Sequence, residues 1–278
     1  MTVWGQQISR RLHRFRFGSP YFRGKGRLFH WLRTLTGRPR LTLPYGRDGW
    51  ITVDDEGENI ERYVWYHGVH EAEVWEALAA QITPEAVFWD IGANIGTVAI
   101  QALRDPRIRA VHCFEPNPKA AAILDINLRL NGAHYVIHPL ALGAAVGTAS
   151  FHLGPDQQSD ISSLNVEHHA GNVHVQLETI DHLIASGVTP PTLLKIDVEG
   201  WEEPVLRGAA ALLDATPPHA IVFEAACDPQ GVILNTALTT LLENAGYTIT
   251  HIRRASGKLH YFEGQYLENY LAARPPVR

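Results

Sequence analysis

From residue 71 onward, the chain alternates short apolar runs with segments whose apolar residues recur at helical spacing. The strand-like runs lie at 86–91, 110–114, 135–140, 173–177, 192–196, 220–224, 247–252 and 267–272. The helix-like segments lie at 71–80, 97–103, 119–130, 179–185, 204–213 and 234–245. This alternation is typical of right-handed strand–helix–strand crossovers, which place parallel strands in one sheet with helices on both faces. The pattern therefore predicts an α/β fold.

The first 66 residues differ from the rest in charge and in pattern. Eleven of the 24 Lys and Arg residues, but only one of the 29 acidic residues, lie in the first 50 positions. Apolar residues recur there at helical spacing, at Trp4, Ile8, Leu12, Phe15 and then Leu28, Trp31, Leu32, Leu35. Strand-like alternation follows at 41–43, 50–53 and 63–66. We expect residues 1–66 to form a basic extension of helices and short strands, and residues 67–278 to form the main domain.

Composition excludes several classes of protein. With 45% apolar and 19% charged residues, the chain is not a globally disordered one. Its two cysteines, Cys113 and Cys227, lie far apart in sequence and exclude a disulfide scaffold. The most apolar stretch, 86–103, contains an aspartate and an asparagine, so no transmembrane segment is expected. Arginines occupy the place where a secretion signal would have its apolar core, and we expect a cytoplasmic protein.

A loop containing two glycines follows the first predicted strand of the main domain. The sequence from Asp90 to Gly96 reads Asp-Ile-Gly-Ala-Asn-Ile-Gly and leads into a helix. Gly92 permits a tight turn, and Gly96 allows a close approach of the backbone. Glu115 ends the next strand, where dinucleotide-binding folds place the acid that binds ribose hydroxyls. These features predict a nucleotide-type ligand at the carboxyl ends of the strands.

The acid before the loop distinguishes two classes of ligand. A pyrophosphate site uses the spacing G-x-G-x-x-G and a helix N-terminus, whereas the spacing here is G-x-N-x-G. The carboxylate of Asp90 would repel a pyrophosphate, but it would attract the cationic amino-acid end of S-adenosylmethionine. The charge therefore favours the sulfonium cofactor and disfavours a nicotinamide oxidoreductase.

A second motif lies farther along the chain and reads LKIDVEG-x-E-x-x-VL-x-GA from Leu194 to Ala209. Together with 90–96, the Phe-Glu-Pro at 114–116 and the Ala-Leu-Gly turn at 141–143, it resembles the FkbM family of methyltransferases over about residues 66–272. The resemblance implies a Rossmann-like class I methyltransferase with a mostly parallel seven-stranded sheet and an antiparallel last strand. It also implies S-adenosylmethionine as methyl donor and, as acceptor, a hydroxyl of a sugar, polyketide or related molecule.

The resemblance also implies a set of cofactor-binding residues. Glu115 matches the ribose-binding acid, Asn117 is expected on the adenine side, and Glu71 over the amino-acid end of the cofactor. Ser163 lies in the segment that stands where the family often has Gly-Ser-Ser. The complete expected set is Glu71, Asp90, Gly92, Ala93, Asn94, Gly96, Glu115, Asn117, Ala141 and Ser163.

Methyl transfer to a hydroxyl needs a positioned acceptor and a general base or a metal ion. The candidate catalytic acids are Asp197 and Glu199, which follow one strand, and Glu224, which ends the next. They could also hold a divalent cation through their oxygens, although three acids do not require one. Lys195, inside the first of these strands, is also a candidate catalytic residue, with an ion pair to a neighbouring acid as its structural alternative. Glu202 is expected to begin a helix. Histidines beside the long loop could supply the base instead, namely His168, His169 and His174.

Two other functions stay open at this point. A nucleic-acid methyltransferase could use the basic arm to bind phosphates, but residues 197–200 lack the proline and aromatic residues that stack a flipped base. A non-catalytic module could keep the cofactor pocket for regulation. We expect no nucleic-acid partner. The apolar stripes of the arm would dock on the main domain, on a second copy in a homodimer, or on an anionic membrane surface.

Overall fold

The computed structural model describes residues 28, 31–32, 34–35, 40–54, 57, 59–152, 172–254, 259–262 and 264–275. The chain divides into two units, Met1–His70 and Glu71–Arg278. The first apolar stripe of the arm, Ser163 and the loop histidines 168 and 169 lie outside the described residues. Their predicted roles therefore stay predictions.

The first unit contains a β-hairpin and a helix. Strands β1 (Leu41–Tyr45) and β2 (Gly49–Val53) pair in antiparallel fashion, as the alternating pattern predicts. The described residues of the stripe between 28 and 35 are helical, and Trp31 and Leu35 are 57% and 65% exposed.

The predicted strand at 63–66 is wrong, because these residues belong to helix α1 (Asn59–His67). Its buried side chains are Glu61, Val64 and Trp65, which share one helical face at the spacing i, i+3, i+4. Glu61 forms an ion pair with Arg40 and accepts a hydrogen bond from the backbone N–H of Asp54. Residues 63–66 alone resemble a strand, because the helical period of this segment is visible only when the buried Glu61 is included.

The second unit is built on one large sheet. Its strands are β3 (Ala86–Ile91), β4 (Ile108–Phe114), β5 (Tyr135–His138), β9 (Leu193–Ile196), β10 (Ala220–Cys227), β11 (Thr248–His251), β12 (His260–Phe262) and β13 (Gln265–Ala273). The order across the sheet is β11-β13-β10-β9-β3-β4-β5, and the short β12 pairs with β13. Neighbours on the path are parallel except at β13, which is antiparallel to both β10 and β11. This confirms the predicted mostly parallel sheet with an antiparallel last strand, and the short β12 adds an eighth strand to the seven of the main path.

A second, three-stranded sheet lies where the sequence predicts a polar loop and one strand. It consists of β6 (Ala141–Leu142), β7 (Gly147–His152) and β8 (Asn172–Glu178), in the order β6-β8-β7. The prediction missed β7 because its sequence, GTASFH, has little apolar alternation. The segment is nevertheless a strand, because its backbone pairs with that of β8 in antiparallel fashion.

Helices connect the strands of the second unit. They are α2 (Ala72–Ala79), α3 (Thr97–Leu103), α4 (Pro118–Arg129), α5 (Ile180–Ala185), α6 (Glu202–Arg207), α7 (Ala210–Ala215) and α8 (Thr236–Asn244). Within the part of the chain that the structure describes, no helix combines the length and the apolar character that a membrane span requires.

The single helix predicted at 204–213 is wrong, because the chain forms two short helices there. The break lies at Gly208, whose carbonyl oxygen accepts a hydrogen bond from the backbone N–H of Asp181 at 3.0 Å. The Asp181 carboxylate in turn accepts from the N–H groups of Ala211 and Leu212, at 2.8 and 2.9 Å, and so caps α7. A side chain 30 residues away therefore starts a new helix where the local pattern continues the old one.

The two faces of the large sheet differ in chemistry. Asp90 and Lys195 are neighbours across β3 and β9, and so are the next residues of these strands, Ile91 and Ile196. Because side chains alternate along a strand, the acid–lysine pair and the isoleucine pair point to opposite faces. The isoleucines belong to a large apolar core that also contains Phe223. Asp90 and Lys195 therefore lie on the face of the sheet opposite this core.

Candidate active site

The glycine loop after β3 is held against two neighbouring elements. The backbone N–H groups of Gly92 and Ala93 both donate to the carbonyl oxygen of Phe114, at 3.0 and 3.1 Å. Gly92 has a φ of 78°, and a Cβ atom at this position would lie 1.8 Å from the carbonyl oxygen of Asp197. Glycine is required here because the loop must touch residues 197–201, which we call the acid loop.

Glu115, at the tip of β4, joins the glycine loop to the start of α4. Its carboxylate accepts hydrogen bonds from the backbone N–H of Asn94 at 2.8 Å and from that of Asn117 at 2.7 Å. The side chain is buried. The predicted role of Glu115 in accepting from ribose hydroxyls stays a prediction.

Asn117 is the N-cap of α4 and is completely buried. Its side-chain oxygen accepts from the backbone N–H of Lys119 at 3.0 Å, and Pro118 occupies the first helical position. The structure thus gives Asn117 a capping role, and its predicted place beside the adenine stays a prediction.

Lys195 forms the predicted ion pair, and it does so with two acids. Its Nζ lies 3.0 Å from Oδ2 of Asp197 and 3.6 Å from Oδ1 of Asp90. Burial alone would lower the pKa of Lys195, but the charges of Asp197 and Asp90 raise it above its ordinary value. Lys195 therefore lies as a counter-ion beside both acids, and its predicted part in catalysis stays a prediction.

Asp90 is almost inaccessible to solvent, with 1% of its surface exposed. Among the described residues, neither carboxylate oxygen has a hydrogen-bond partner, and the ammonium of Lys195 compensates its charge from 3.6 Å. Burial raises the pKa of Asp90, while Lys195 lowers it. An undersatisfied buried carboxylate beside a glycine loop fits a cationic ligand.

Three further carboxylates converge at the carboxyl ends of β9 and β10. Asp197, Glu199 and Glu224 each offer an oxygen, and these oxygens lie within 4.8 Å of one another. All three residues are partly buried. Burial, followed by the charges of Asp197 and Glu199, raises the pKa of Glu224 well above its ordinary value. The structure brings together the three acids that the sequence predicts as catalytic candidates. A divalent cation, which these acids could hold but do not require, stays an untested alternative.

The sequence matches the family described as the Methyltransferase FkbM domain over residues 90–249. This protein belongs to the FkbM methyltransferase family. A relative from Haloferax volcanii, described as hexuronic acid methyltransferase AglP, is 29% identical over 236 residues. That alignment covers 80% of this chain and 94% of the relative.

Several solved methyltransferase structures are similar to this FkbM family member at low identity. Precorrin-6y C5,15-methyltransferase from Geobacter metallireducens has a TM-score of 0.42 at 16% identity, covering 73% of this chain and 87% of its own. Magnesium protoporphyrin IX methyltransferase from Synechocystis PCC 6803 has a TM-score of 0.45 at 10% identity, covering 80% and 86%.

S-adenosylmethionine is the methyl donor of this family member, and the described residues fit it. The cofactor carries an amino-acid end with an ammonium group, a sulfonium and a ribose. Asp90 offers a buried, undersatisfied carboxylate, and Glu115 offers acceptor oxygens beside the glycine loop. Which of the predicted residues touch the cofactor stays a prediction.

Backbone strain concentrates at the predicted site residues. Four non-glycine residues of the described chain have positive φ, and three of them were predicted in the site: Glu71 at 51°, Asn94 at 49° and Glu199 at 52°. Each such residue costs about 1–3 kcal/mol, and strain of this kind clusters where function requires it. The fourth, Glu85, lies just before β3, at the opposite end of that strand.

Asn269 is a candidate site residue that sequence reasoning missed. It faces Glu224 across the β10–β13 pair, and its Nδ2 donates to Oε1 of Glu71 at 3.4 Å. Asn269 is buried although it is polar. A signal was present, because Glu268 and Asn269 interrupt an otherwise apolar strand.

The structure also places two other predicted residues. Ala141 begins β6, three residues after the last residue of β5, and His174 is exposed on β8. Their predicted roles, at the cofactor and as a possible base, stay predictions.

Proposed function

We propose that this methyltransferase transfers the methyl group of S-adenosylmethionine to a hydroxyl of a sugar, within a glycan that contains a uronic acid. The support for a sugar acceptor is the relative described as a hexuronic acid methyltransferase, which aligns over 94% of its length. Family membership does not favour the alternatives of a nucleic-acid methyltransferase or a non-catalytic module.

The observation that carries the hydroxyl proposal is the convergence of Asp197, Glu199 and Glu224 at one edge of the sheet. An alcohol is a weak nucleophile and must lose its proton during transfer. The acceptor oxygen forms a bond to the methyl carbon as the carbon–sulfur bond breaks, and the hydroxyl proton passes to a carboxylate. Glu224 suits this role, because its raised pKa makes it a better proton acceptor than an ordinary glutamate.

The remaining polar residues hold the reactants in place. Asp90 and Glu71 face the cationic amino-acid end of the cofactor, and Glu115 accepts from its ribose. Lys195 lies between Asp90 and Asp197 and compensates part of their negative charge. Holding the acceptor oxygen in line behind the methyl group supplies much of the rate.

The acidic site also favours a hydroxyl over a carboxyl acceptor on the same sugar. A carboxylate oxygen is already negative, and it is repelled by a cluster of three acids that has one lysine, Lys195, as counter-ion. A neutral hydroxyl enters without that cost and uses the cluster as its base. A sugar ether, rather than a methyl ester, is therefore the proposed product.

The test uses labelled S-adenosylmethionine with a uronic-acid-terminated oligosaccharide and with its carboxyl-reduced, neutral counterpart. We expect a mass gain of one methyl group on the uronic-acid glycan that survives mild alkali, since ethers resist alkali and esters do not. A methyl group lost in alkali would overturn the hydroxyl assignment. Transfer to the neutral glycan alone would overturn the uronic acid, and no transfer to either would overturn the sugar acceptor.

A further inference from the structure

The acid loop has a backbone that needs support from its surroundings. Glu199 and Gly200 have φ values of 52° and 86°, so two consecutive residues adopt the left-handed region. Only the second of them is a glycine, and a side chain at the first is disfavoured there. A turn of this kind persists when neighbouring groups hold it. The loop needs such support because it carries both Asp197 and Glu199.

Glu202, in the first turn of α6, provides this support. Its Oε1 accepts hydrogen bonds from the backbone N–H of Val198 at 3.1 Å and from that of Gly200 at 3.2 Å. The N–H of Val198 belongs to the peptide group that follows Asp197, and that of Gly200 to the one that follows Glu199, so one oxygen holds the peptide group after each of the two acids. Glu202 is only 4% exposed, and its side chain is therefore held as firmly as the core around it.

We propose that Glu202 is a positioning residue, which clamps the amides of Val198 and Gly200 and so holds Asp197 and Glu199 where they act on the acceptor. This proposal rests on the proposed function, because that function makes the loop carboxylates act on the acceptor hydroxyl. Glu202 itself contributes through the loop and takes no proton from the substrate.

The clamp needs an acceptor oxygen at the position of Oε1, and it does not need a negative charge. Burial raises the pKa of Glu202 to about 7, although hydrogen bonds from the backbone of Glu202 itself, Val198 and Gly200 oppose this rise. A carboxylic acid, a carboxylate and a glutamine amide all present a suitable oxygen. Glutamine should therefore replace Glu202 in this role, whereas leucine should not.

The adjacent Glu203 provides a matched control. It belongs to the same helical turn, but its carboxylate accepts from Arg207 at 2.8 Å and from Asn235 at 2.9 Å. None of these groups belongs to the acid loop. A change at Glu203 therefore perturbs α6 to a similar extent without removing the clamp.

The experiment compares wild type, Glu202→Leu, Glu202→Gln and Glu203→Gln by hydrogen exchange of the acid loop and by steady-state kinetics. In Glu202→Leu we expect the Val198 and Gly200 amides to exchange at least tenfold faster and kcat to fall at least a hundredfold. The KM for S-adenosylmethionine should change less than threefold. Glu202→Gln should stay within fivefold of wild type in both readouts, and Glu203→Gln should match wild type.

Each alternative result is decisive. Unchanged amide exchange in Glu202→Leu would overturn the clamp, and faster exchange with full kcat would overturn the positioning role. If Glu202→Leu does not fold, Glu202→Asp takes its place, because its carboxylate is one methylene too short to reach both amides. A wild-type enzyme that methylates no hydroxyl would overturn the proposed function instead. The clamp would then be tested by the amide exchange of Val198 and Gly200 alone.

Discussion

At the scale of single residues, Glu224 has the most perturbed environment among the candidate catalytic acids. Burial and the charges of Asp197 and Glu199 raise its pKa well above the ordinary value for a glutamate. A base must be ionised, so kcat/KM should fall as the pH drops through this raised pKa, nearer neutrality than for an exposed glutamate. Glu224→Gln should lower kcat by roughly 10²–10⁴-fold and remove this limb of the pH profile.

The control for this prediction is Glu243→Gln, since Glu243 is exposed on α8. Binding of S-adenosylmethionine, measured by calorimetry, should persist in both variants. Full turnover by a folded Glu224→Gln enzyme would contradict the assignment of Glu224 as the base.

The ion pairs of Lys195 can be tested by measuring the free energy of unfolding. Lys195→Met removes the cation that compensates two acids, and it leaves Asp90 buried without a partner. Breaking a buried ion pair from one side costs about 3–5 kcal/mol. We expect a loss of that size in the free energy of unfolding, measured by urea denaturation.

The double variant Asp90→Asn/Lys195→Met tests the cause of this loss. Because it removes the orphaned charge as well, it should be more stable than Lys195→Met alone. Equal stability of the two variants would show that the loss comes from packing and not from the buried charge.

At the scale of elements, the site depends on two loops that touch. Gly92 has a φ of 78°, and a Cβ atom there would lie 1.8 Å from the carbonyl oxygen of Asp197. Gly92→Ala must therefore displace the glycine loop or the acid loop. A displacement of about 1 Å can cost 10²-fold in rate, so kcat/KM should fall by at least that factor, with weaker binding of S-adenosylmethionine.

Gly147→Ala is the matched control, because nothing lies within 4 Å of a Cβ atom at that position. It should keep wild-type kinetics. Wild-type activity in Gly92→Ala would show that the close approach of the two loops is not needed for catalysis.

At the scale of the whole molecule, binding of the cofactor should be linked to protons. The raised pKa of Glu224 reflects burial and the charges of Asp197, Glu199, Glu71 and Glu202. A bound cation stabilises the ionised acids, so binding should release protons and tighten as the pH rises through this titration. Calorimetry in two buffers of different ionisation enthalpy measures the release, which should shrink in Glu224→Gln. Proton uptake on binding would contradict the prediction.

The raised pKa of Glu202 also makes the free energy of unfolding of the cofactor-free protein depend on pH. Burial raises the pKa of Glu202 from about 4.5 to about 7, so the folded chain holds a proton that the unfolded chain releases in this range. The stability that the protonated Glu202 contributes to the folded protein is fully present below pH 4.5 and is lost as the pH rises through 7.

Much of the site could be predicted from the sequence, because parallel strands bring their carboxyl ends to one edge of a sheet. Asp90, Glu115 and Asp197 each close or follow an apolar run, and the structure gathers them at that edge. Asn269 could not be placed, since its contact with Glu71 joins residues 198 positions apart. That contact depends on the antiparallel insertion of β13 between β10 and β11.

The sequence by itself determined the order of strands and helices and the residue types at the strand ends, because apolar periodicity and turn glycines act locally. Only the tertiary structure decided that one lysine lies beside two acids and that Glu202 accepts hydrogen bonds from the acid loop. It also decided that Asp181 starts a separate helix at 210. These outcomes depend on strand register and on loops in contact, which arise from packing between residues far apart in the chain.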